Sequence, residues 1–154
     1  MCQGRLSRSI RYSKKNDWPF GFKRAETGVS TEALMGDRKI RIFLNGFGRI
    51  GRTILRIMMQ GAHGDIEIVG INDIEPLETC AYLFEYDSVF GTFQGKVDTS
   101  ERRLHVNGHV IPFYGVRDLR DLDLSNVDVV LECTGMAGAS AMAERGLEAG
   151  ARGV

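Results

Sequence analysis

The 154-residue sequence lacks the features that mark several specialised classes of protein. Its formal net charge is zero, so the chain as a whole gives no reason to expect nucleic acid or a membrane as a partner. No run of about 18 apolar residues occurs, so no transmembrane helix is expected. Three cysteines without CxxC spacing argue against a disulfide framework and a zinc site, and a reducing, cytoplasmic setting fits best. The three histidines complete no ligand pattern with cysteines or carboxylates, so no metal site is expected.

The charge that is present is unevenly distributed along the chain. Residues 1–36 contain seven Lys or Arg against three acids, whereas residues 37–154 contain thirteen against seventeen. The first segment also lacks sustained apolar periodicity, which predicts a flexible basic tail followed by one domain over residues 37–154. We interpret the tail as a mis-assigned start, with folding beginning near Met35. An Arg- and Ser-bearing organelle transit segment is the alternative.

Short apolar runs alternate with helical periodicity across residues 37–154. The runs predict buried strands at 40–44, 66–71 and 127–133, each followed by a helix. Residues 152–154 are predicted to enter one more strand. Strands that alternate with helices through short connections indicate a parallel sheet covered on both faces. The predicted fold is therefore α/β, a doubly wound dinucleotide-binding (Rossmann) domain that is incomplete at its C-terminus.

Two local features refine this architecture. The segment 88–112 has short alternating runs around Asn107-Gly108, a hairpin turn signal, and predicts a small antiparallel excursion from the sheet. The first helix is predicted to bury one stripe of apolar side chains: Ile50, Ile54, Ile57 and Met58.

The strongest functional signal is the glycine-rich turn Gly-Phe-Gly-Arg-Ile-Gly between the first strand and the first helix. Gly46 permits the tight turn, and Gly48 lets the backbone approach a pyrophosphate. Gly51 lets the helix pack close to the strand. The N–H groups of Arg49 and Ile50 are expected to face the phosphates, assisted by the helix dipole. This turn predicts that the chain binds a dinucleotide.

Asp73 lies at the end of the second predicted strand, 22 residues past the last glycine of the turn. Its carboxylate is expected to accept hydrogen bonds from the adenosine ribose hydroxyls and to repel a 2′-phosphate. The neighbours Ile74 and Glu75 offer no cation that would accommodate such a phosphate. The cofactor is therefore predicted to be NAD rather than NADP.

The residues that flank the turn extend this pattern to a known family. The run from Asn45 to Arg52 closely resembles the opening of phosphorylating glyceraldehyde-3-phosphate dehydrogenase, and the resemblance covers residues 39–154. Further segments that resemble this family are 71–73, 86–93, 117–118 and 132–135. The erythrose-4-phosphate dehydrogenase branch shares most of these segments and stays open. A free-standing dinucleotide-binding module without catalysis is the other alternative.

The resemblance implies where each part of the cofactor lies. Arg117 would lie near the adenine, although Val116 stands where the commoner family pattern has Glu. The segment from Cys133 to Gly135 would line the nicotinamide side. The implied cofactor-binding residues are Asn45, Gly46, Phe47, Gly48, Arg49, Ile50, Gly51, Asp73, Arg117, Cys133, Thr134 and Gly135.

The resemblance also implies a chemistry for the full-length family member. A Cys thiolate attacks the aldehyde, a His acts as base, hydride passes to NAD, and phosphate releases an acyl phosphate. The family's nucleophile stands in a Ser-Cys-Thr-Thr-Asn motif that this sequence lacks, so Cys133 is expected to pack or to line the cofactor. No catalytic residue is assigned, and the 154-residue chain alone is expected to be inactive. A full-length member is expected to be a cytoplasmic, glycolytic homotetramer that acts on an aldehyde phosphate.

Overall fold

A computed structural model describes residues 38–61, 64–135 and 139–154, so the predictions for residues 1–36 lie outside the described residues. The strands are β1 Ile40–Asn45, β2 Ile66–Asn72, β3 Tyr86–Asp87, β4 Gly91–Thr92, β5 Val97–Ser100, β6 Arg103–Val106, β7 His109–Tyr114 and β8 Val129–Glu132. The helices are α1 Arg49–Gln60, α2 Leu77–Glu85 and α3 Ala139–Glu148, with a 3₁₀ turn at Leu119–Asp121. Within these described ranges, no helix has the length and apolar character needed to cross a bilayer.

The main sheet has the strand order β5-β6-β7-β2-β1-β8. Strands β7, β2, β1 and β8 run parallel to one another, whereas β5, β6 and β7 pair antiparallel. The parallel strands thus lie side by side in the order third, second, first, fourth along the chain, which is the order of a doubly wound sheet. The predicted α/β fold with its antiparallel excursion is confirmed.

The two faces of the sheet carry separate hydrophobic cores. Successive residues of a strand point to opposite faces, and Phe43 and Leu44 of β1 divide in this way. Leu44 packs in a core with Leu55 of α1 and Phe84 of α2. Phe43 belongs to a second core that includes Leu119 of the 3₁₀ turn. Helices and turns therefore cover both faces of the sheet, as the prediction required.

The antiparallel excursion closes at the predicted turn. Asn107 and Gly108 have φ angles of 51° and 85°, the left-handed conformation that a tight hairpin requires. After the turn β7 returns to the parallel sheet, where Phe113 pairs with Ile71. The predicted antiparallel excursion is confirmed, and the structure shows that β7 rejoins the main sheet at its end.

The buried face of α1 differs from the predicted stripe. Ile50 and Ile57 are 60% and 54% exposed, and Ile54 and Met58 are only partly buried. The buried residues of α1 are Gly51, Leu55 and Arg56. Gly51 sets this rotation because it lies directly against the carbonyl group of the preceding turn. The prediction for Ile50 and Ile57 was wrong because periodicity alone does not reveal which residue contacts the strand.

Residues 152–154 run beside β8 without being part of a regular strand. The N–H of Val130 donates to the carbonyl of Gly153 over 2.9 Å, and the N–H of Arg152 donates to the carbonyl of Val127 over 3.2 Å. These bonds place the segment at the sheet edge where the next strand was expected.

Candidate functional site

A cavity of about 380 Å³ lies at the carboxyl ends of the parallel strands. It lies where the strand order reverses, between β1 and β8, which is the usual ligand crevice of an open α/β sheet. The predicted cofactor-binding residues that line it are Asn45, Gly46, Gly48, Asp73, Arg117, Cys133 and Thr134. Residues that line it without having been assigned from the sequence are Asn72, Ile74, Glu75, Val116, Leu119 and Met142.

Gly46, in the turn after β1, lies in close contact with Cys133 and Thr134, in the segment that follows β8. Its φ angle is +97°, and its N–H donates to the carbonyl of Asn72 over 2.8 Å. A Cβ at this position would stand 2.6 Å from the backbone nitrogen of Thr134 and 2.7 Å from the carbonyl carbon of Cys133. Gly46 is therefore required both by the turn conformation and by the close approach of the segment after β8.

The other two glycines of the turn have opposite surroundings. A Cβ at Gly51 would stand 2.2 Å from the carbonyl oxygen of Gly46, so α1 packs against the turn with no room for a side chain. A Cβ at Gly48 would meet nothing within 4 Å. The open space beside Gly48 is what a backbone needs if a pyrophosphate is to approach it. The glycines present therefore fit a dinucleotide.

The amino end of α1 faces this open space. The helix begins at Arg49, Gly48 supplies no side-chain cap, and the first turn contains no acidic residue. The backbone bonds of the helix begin with the N–H of Arg52, which donates to the carbonyl of Gly48 over 3.0 Å. The N–H groups of the first turn and the positive end of the helix dipole are therefore available to an anion. Ile50 is exposed here and offers its backbone rather than a polar side chain.

Phe47 enters the site only through its backbone. Its side chain is 1% exposed and packs in the core, with ring centroids 6.0 Å from Phe84 and 6.5 Å from Phe113. Its N–H donates to the Oδ2 atom of Asp73 over 2.5 Å. The ring therefore anchors the glycine turn to the core, while the N–H ties the turn to β2.

Asp73 uses both of its carboxylate oxygens within the protein. Oδ2 accepts from Phe47, and Oδ1 accepts from the N–H of Glu75 over 2.9 Å. A carboxylate has about four acceptor positions, so two backbone bonds leave capacity for further donors. Asp73 also lines the cavity, where ribose hydroxyls were expected. Its role toward the ribose stays a prediction.

Hydrogen bonds fix the backbone before and after Arg117. Before it, the Oδ1 atom of Asn72 accepts from the N–H of Val116 over 2.9 Å. After it, Asp118 caps the 3₁₀ turn by accepting from the N–H of Arg120 over 3.1 Å. Hydrogen bonding by Arg120 lowers the pKa of Asp118 to about 2. Asn72 could have been inferred from the sequence, because it is a polar residue at the carboxyl end of β2, directly before Asp73.

The described cysteines and histidines do not form a nucleophile and base pair. Burial raises the pKa of Cys133, and it raises the pKa of Cys80 to about 12. His105 hydrogen-bonds Ser100 over 2.7 Å on the antiparallel excursion, and His109 is exposed beside the hairpin turn. Within the described ranges, no cluster of three or more His, Cys, Asp or Glu residues could hold a metal ion. The geometry of the described residues at this cavity suits the binding of a nucleotide.

The two described thiols are expected to react slowly with iodoacetamide at neutral pH. A pKa above the ordinary value lowers the fraction of thiolate, and the thiolate is the nucleophile. Labelling of Cys133 should increase as the pH is raised, but only at a higher pH than for an ordinary thiol, because burial raises its pKa. Cys80, which is 3% exposed, should stay unlabelled until the chain unfolds. Peptide mass spectrometry measures both rates against the urea-unfolded chain, and labelling of folded Cys133 at the unfolded rate at pH 7 would contradict the expectation.

The fold and the site together define a dinucleotide-binding domain of the doubly wound class. Residues 40–140 match the family model described as the NAD binding domain of glyceraldehyde 3-phosphate dehydrogenase. The chain therefore belongs to this family, and its cofactor is NAD. The family and the cofactor inferred from the sequence motifs are both confirmed.

Individual relatives agree with the family model. The chain is 41% identical over 117 residues to glyceraldehyde-3-phosphate dehydrogenase of Xanthobacter flavus, which covers 75% of this chain and 35% of that protein. It is 43% identical over 117 residues to the cytosolic enzyme of Trypanosoma brucei brucei, with the same coverage. It is 34% identical over 145 residues to the chloroplastic enzyme of Chondrus crispus, over 93% of this chain and 34% of that protein. The chain thus spans about a third of the length of the curated relatives it matches.

Proposed function

We propose that this chain serves as the NAD-binding part of a phosphorylating glyceraldehyde-3-phosphate dehydrogenase. The whole protein would oxidise an aldehyde phosphate and release an acyl phosphate, and NAD, when bound, supplies the hydride acceptor. The observation that carries the proposal is the cavity that Gly46 and Thr134 both line, with open space beside Gly48 at the amino end of α1. We further propose a homotetramer in the cytoplasm, in keeping with the family resemblance.

Different residues of the chain would bind different parts of NAD. The backbone at Arg49 and Ile50 takes the pyrophosphate, because the amino end of α1 attracts anions. Asp73 takes the ribose hydroxyls with the acceptor capacity that its two backbone bonds leave. Arg117 lies on the adenine side, and the wall from Cys133 to Gly135 lies on the nicotinamide side.

Replacing Asp73 with alanine is expected to weaken NAD binding by about 1–3 kcal/mol, the cost of leaving hydrogen-bonding groups unpaired. The preference for NAD over NADP should shrink as well, because the carboxylate that repels a 2′-phosphate is gone. Glu75→Ala is the matched control, since it removes an exposed carboxylate from the same cavity wall. Isothermal titration with both nucleotides measures the effect. Equal affinity of the unmodified chain for NAD and NADP would refute the role given to Asp73.

The 154-residue chain is expected to bind NAD without oxidising glyceraldehyde 3-phosphate. The reason is chemical: both described thiols have raised pKa values, and neither described histidine lines the cavity. Absorbance at the NADH band, with aldehyde, NAD and phosphate present, measures turnover. Steady NADH formation by the purified chain would contradict the expectation. For a full-length protein, comparing glyceraldehyde 3-phosphate with erythrose 4-phosphate as substrates separates the two enzyme branches.

A further inference from the structure

A continuous series of hydrogen bonds links the carboxyl ends of neighbouring strands at the cavity, where Asn45, Asn72 and Thr134 are lining residues. Asn72 at the end of β2 donates from Nδ2 to the Oδ1 atom of Asn45 at the end of β1, over 2.8 Å. Asn45 donates from Nδ2 to the Oε2 atom of Glu132 at the end of β8, over 2.5 Å. The Oε1 atom of Glu132 accepts from both the N–H and the hydroxyl of Thr134, over 2.9 and 2.5 Å. The carboxylate of Glu132 thus connects Asn45, the last residue of β1, to Thr134, in the segment that follows β8.

The backbone of Val116 fixes the direction of these hydrogen bonds, because it orients the amide of Asn72. Val116 donates its N–H to the Oδ1 atom of Asn72 over 2.9 Å, and its carbonyl accepts from Nδ2 over 3.0 Å. A backbone N–H can only donate and a carbonyl can only accept, so the amide of Asn72 cannot be reversed. Its nitrogen therefore faces Asn45 and requires an oxygen there. The nitrogen of Asn45 must then face residue 132.

The position of Glu132 consequently requires a side chain that accepts hydrogen bonds on both sides. An ionised carboxylate does so, whereas the amide of a glutamine would turn a donor toward either Asn45 or Thr134. The conflict could not be relieved by rotating the neighbours, because Asn45 and Asn72 are only 4% and 5% exposed and their bonds run in one direction. A glutamine that turned its oxygen toward Thr134 would leave the buried Nδ2 atom of Asn45 without an acceptor, which is costly. A glutamine that turned its oxygen toward Asn45 would instead release the exposed Thr134 from residue 132.

We infer that Glu132 is a positioning residue for the cofactor. Its carboxylate holds Thr134, in the segment from Cys133 to Gly135, at a fixed place relative to the glycine turn. The segment and the turn already touch, since a Cβ at Gly46 would lie 2.6 Å from the nitrogen of Thr134. A shift of Thr134 therefore changes the width of the nicotinamide side of the cavity directly. The inference rests on the proposed function, because it takes that side of the cavity as the place of the nicotinamide.

A double-variant cycle in the 154-residue protein tests the direction of this series of hydrogen bonds. Glu132→Gln places an amide donor opposite a donor of Asn45 or Thr134, and Asn45→Asp places two carboxylates opposite each other. Together they match again, because Asp at 45 accepts from Asn72 and from Gln at 132, and the net charge equals that of the unmodified chain. Each single change is expected to lower Tm by about 4 °C or more, and the double change to regain most of that loss. If Glu132→Gln fails to fold, recovery of the circular dichroism signal in the double variant gives the same information.

Nucleotide affinities test the positioning role separately from stability. Glu132→Gln is expected to weaken NAD binding about tenfold, equivalent to 1.4 kcal/mol, while AMP, which lacks the nicotinamide half, binds nearly as before. Global destabilisation would not separate the two nucleotides in this way. Glu67→Gln makes the same chemical change at an exposed residue of β2 and should leave Tm and both affinities unaltered.

Two results would overturn the inference. Additive losses of Tm in the double variant would show that the direction of the hydrogen bonds does not matter. Equal weakening of NAD binding and AMP binding would rule out the positioning role of Glu132. An unmodified chain that binds neither nucleotide would instead refute the proposed function, and the positioning role with it. In that case the Tm cycle still decides the direction of the bonds by itself.

Discussion

Replacing Gly51 with alanine is expected to lower the free energy of unfolding by about 3 kcal/mol, the upper part of the usual range for overpacking. The new Cβ would stand 2.2 Å from the carbonyl oxygen of Gly46 and 3.2 Å from its carbon. These are backbone atoms of a turn that itself contacts the segment after β8, so no side chain can move aside to relieve the clash. Urea unfolding followed by circular dichroism measures the loss.

Gly48→Ala is the matched control, because it adds the same methyl group three residues earlier. Its Cβ would meet nothing within 4 Å, and its φ of −71° suits any residue. Stability should be unchanged or raised by about 0.4–1 kcal/mol through the unfolded chain. NAD binding should nevertheless fall about tenfold, because the methyl group would enter the space that we propose for the pyrophosphate. Unchanged stability in Gly51→Ala, or unchanged NAD affinity in Gly48→Ala, would contradict the role of that glycine.

A loss of about 3–5 kcal/mol is expected when Arg56 is replaced by alanine. Arg56 is 6% exposed, and its guanidinium donates to the carbonyls of Gly91 over 3.1 Å and Phe84 over 2.6 Å. Its Cζ atom also lies 5.6 Å and 5.4 Å from the ring centroids of Phe84 and Phe93. Truncation would leave two carbonyls without these donors and a cavity among aromatic rings. The same urea titration measures the effect.

Arg49→Ala is the control for Arg56, because it shortens an exposed arginine of the same helix. It should change stability by no more than about 0.5 kcal/mol. Arg56→Lys should recover only part of the loss, since one ammonium group does not reproduce a planar fork that reaches two carbonyls. A stability of Arg56→Ala within about 1 kcal/mol of the unmodified chain would show that the guanidinium contributes little.

The parts of the fold that the sequence predicts well are those with a local physical cause. The turn at Asn107-Gly108 follows from two positive φ angles, and the turn at Gly46 follows from strand, glycine and helix in succession. Asp73 was selected because it ends the strand after the glycine turn, and it does line the cavity. Each of these features is set by residues that are close in the sequence.

The features that the sequence did not reveal depend on distant partners. Arg56 was overlooked because charged residues are seldom buried, and only the carbonyls of a later segment explain its position. The bond between Asn45 and Glu132 joins residues 87 positions apart, and it requires the register of β1 against β8. The rotation of α1 likewise follows from a backbone contact at Gly51 that no periodicity encodes.

The pairing of β1 with β8 has a consequence for the order in which the chain folds. The hairpin of β6 and β7 closes over a two-residue turn, whereas Ile42 meets Val129 across 87 positions of sequence. Closing so long a loop costs more conformational entropy, so we expect β8 to dock after the hairpin has formed. The cavity that Gly46 and Thr134 line would then form only once β8 has paired with β1, the pairing that we expect to be the slowest. NAD would therefore stabilise the finished sheet by mass action and leave the rate of its formation unchanged.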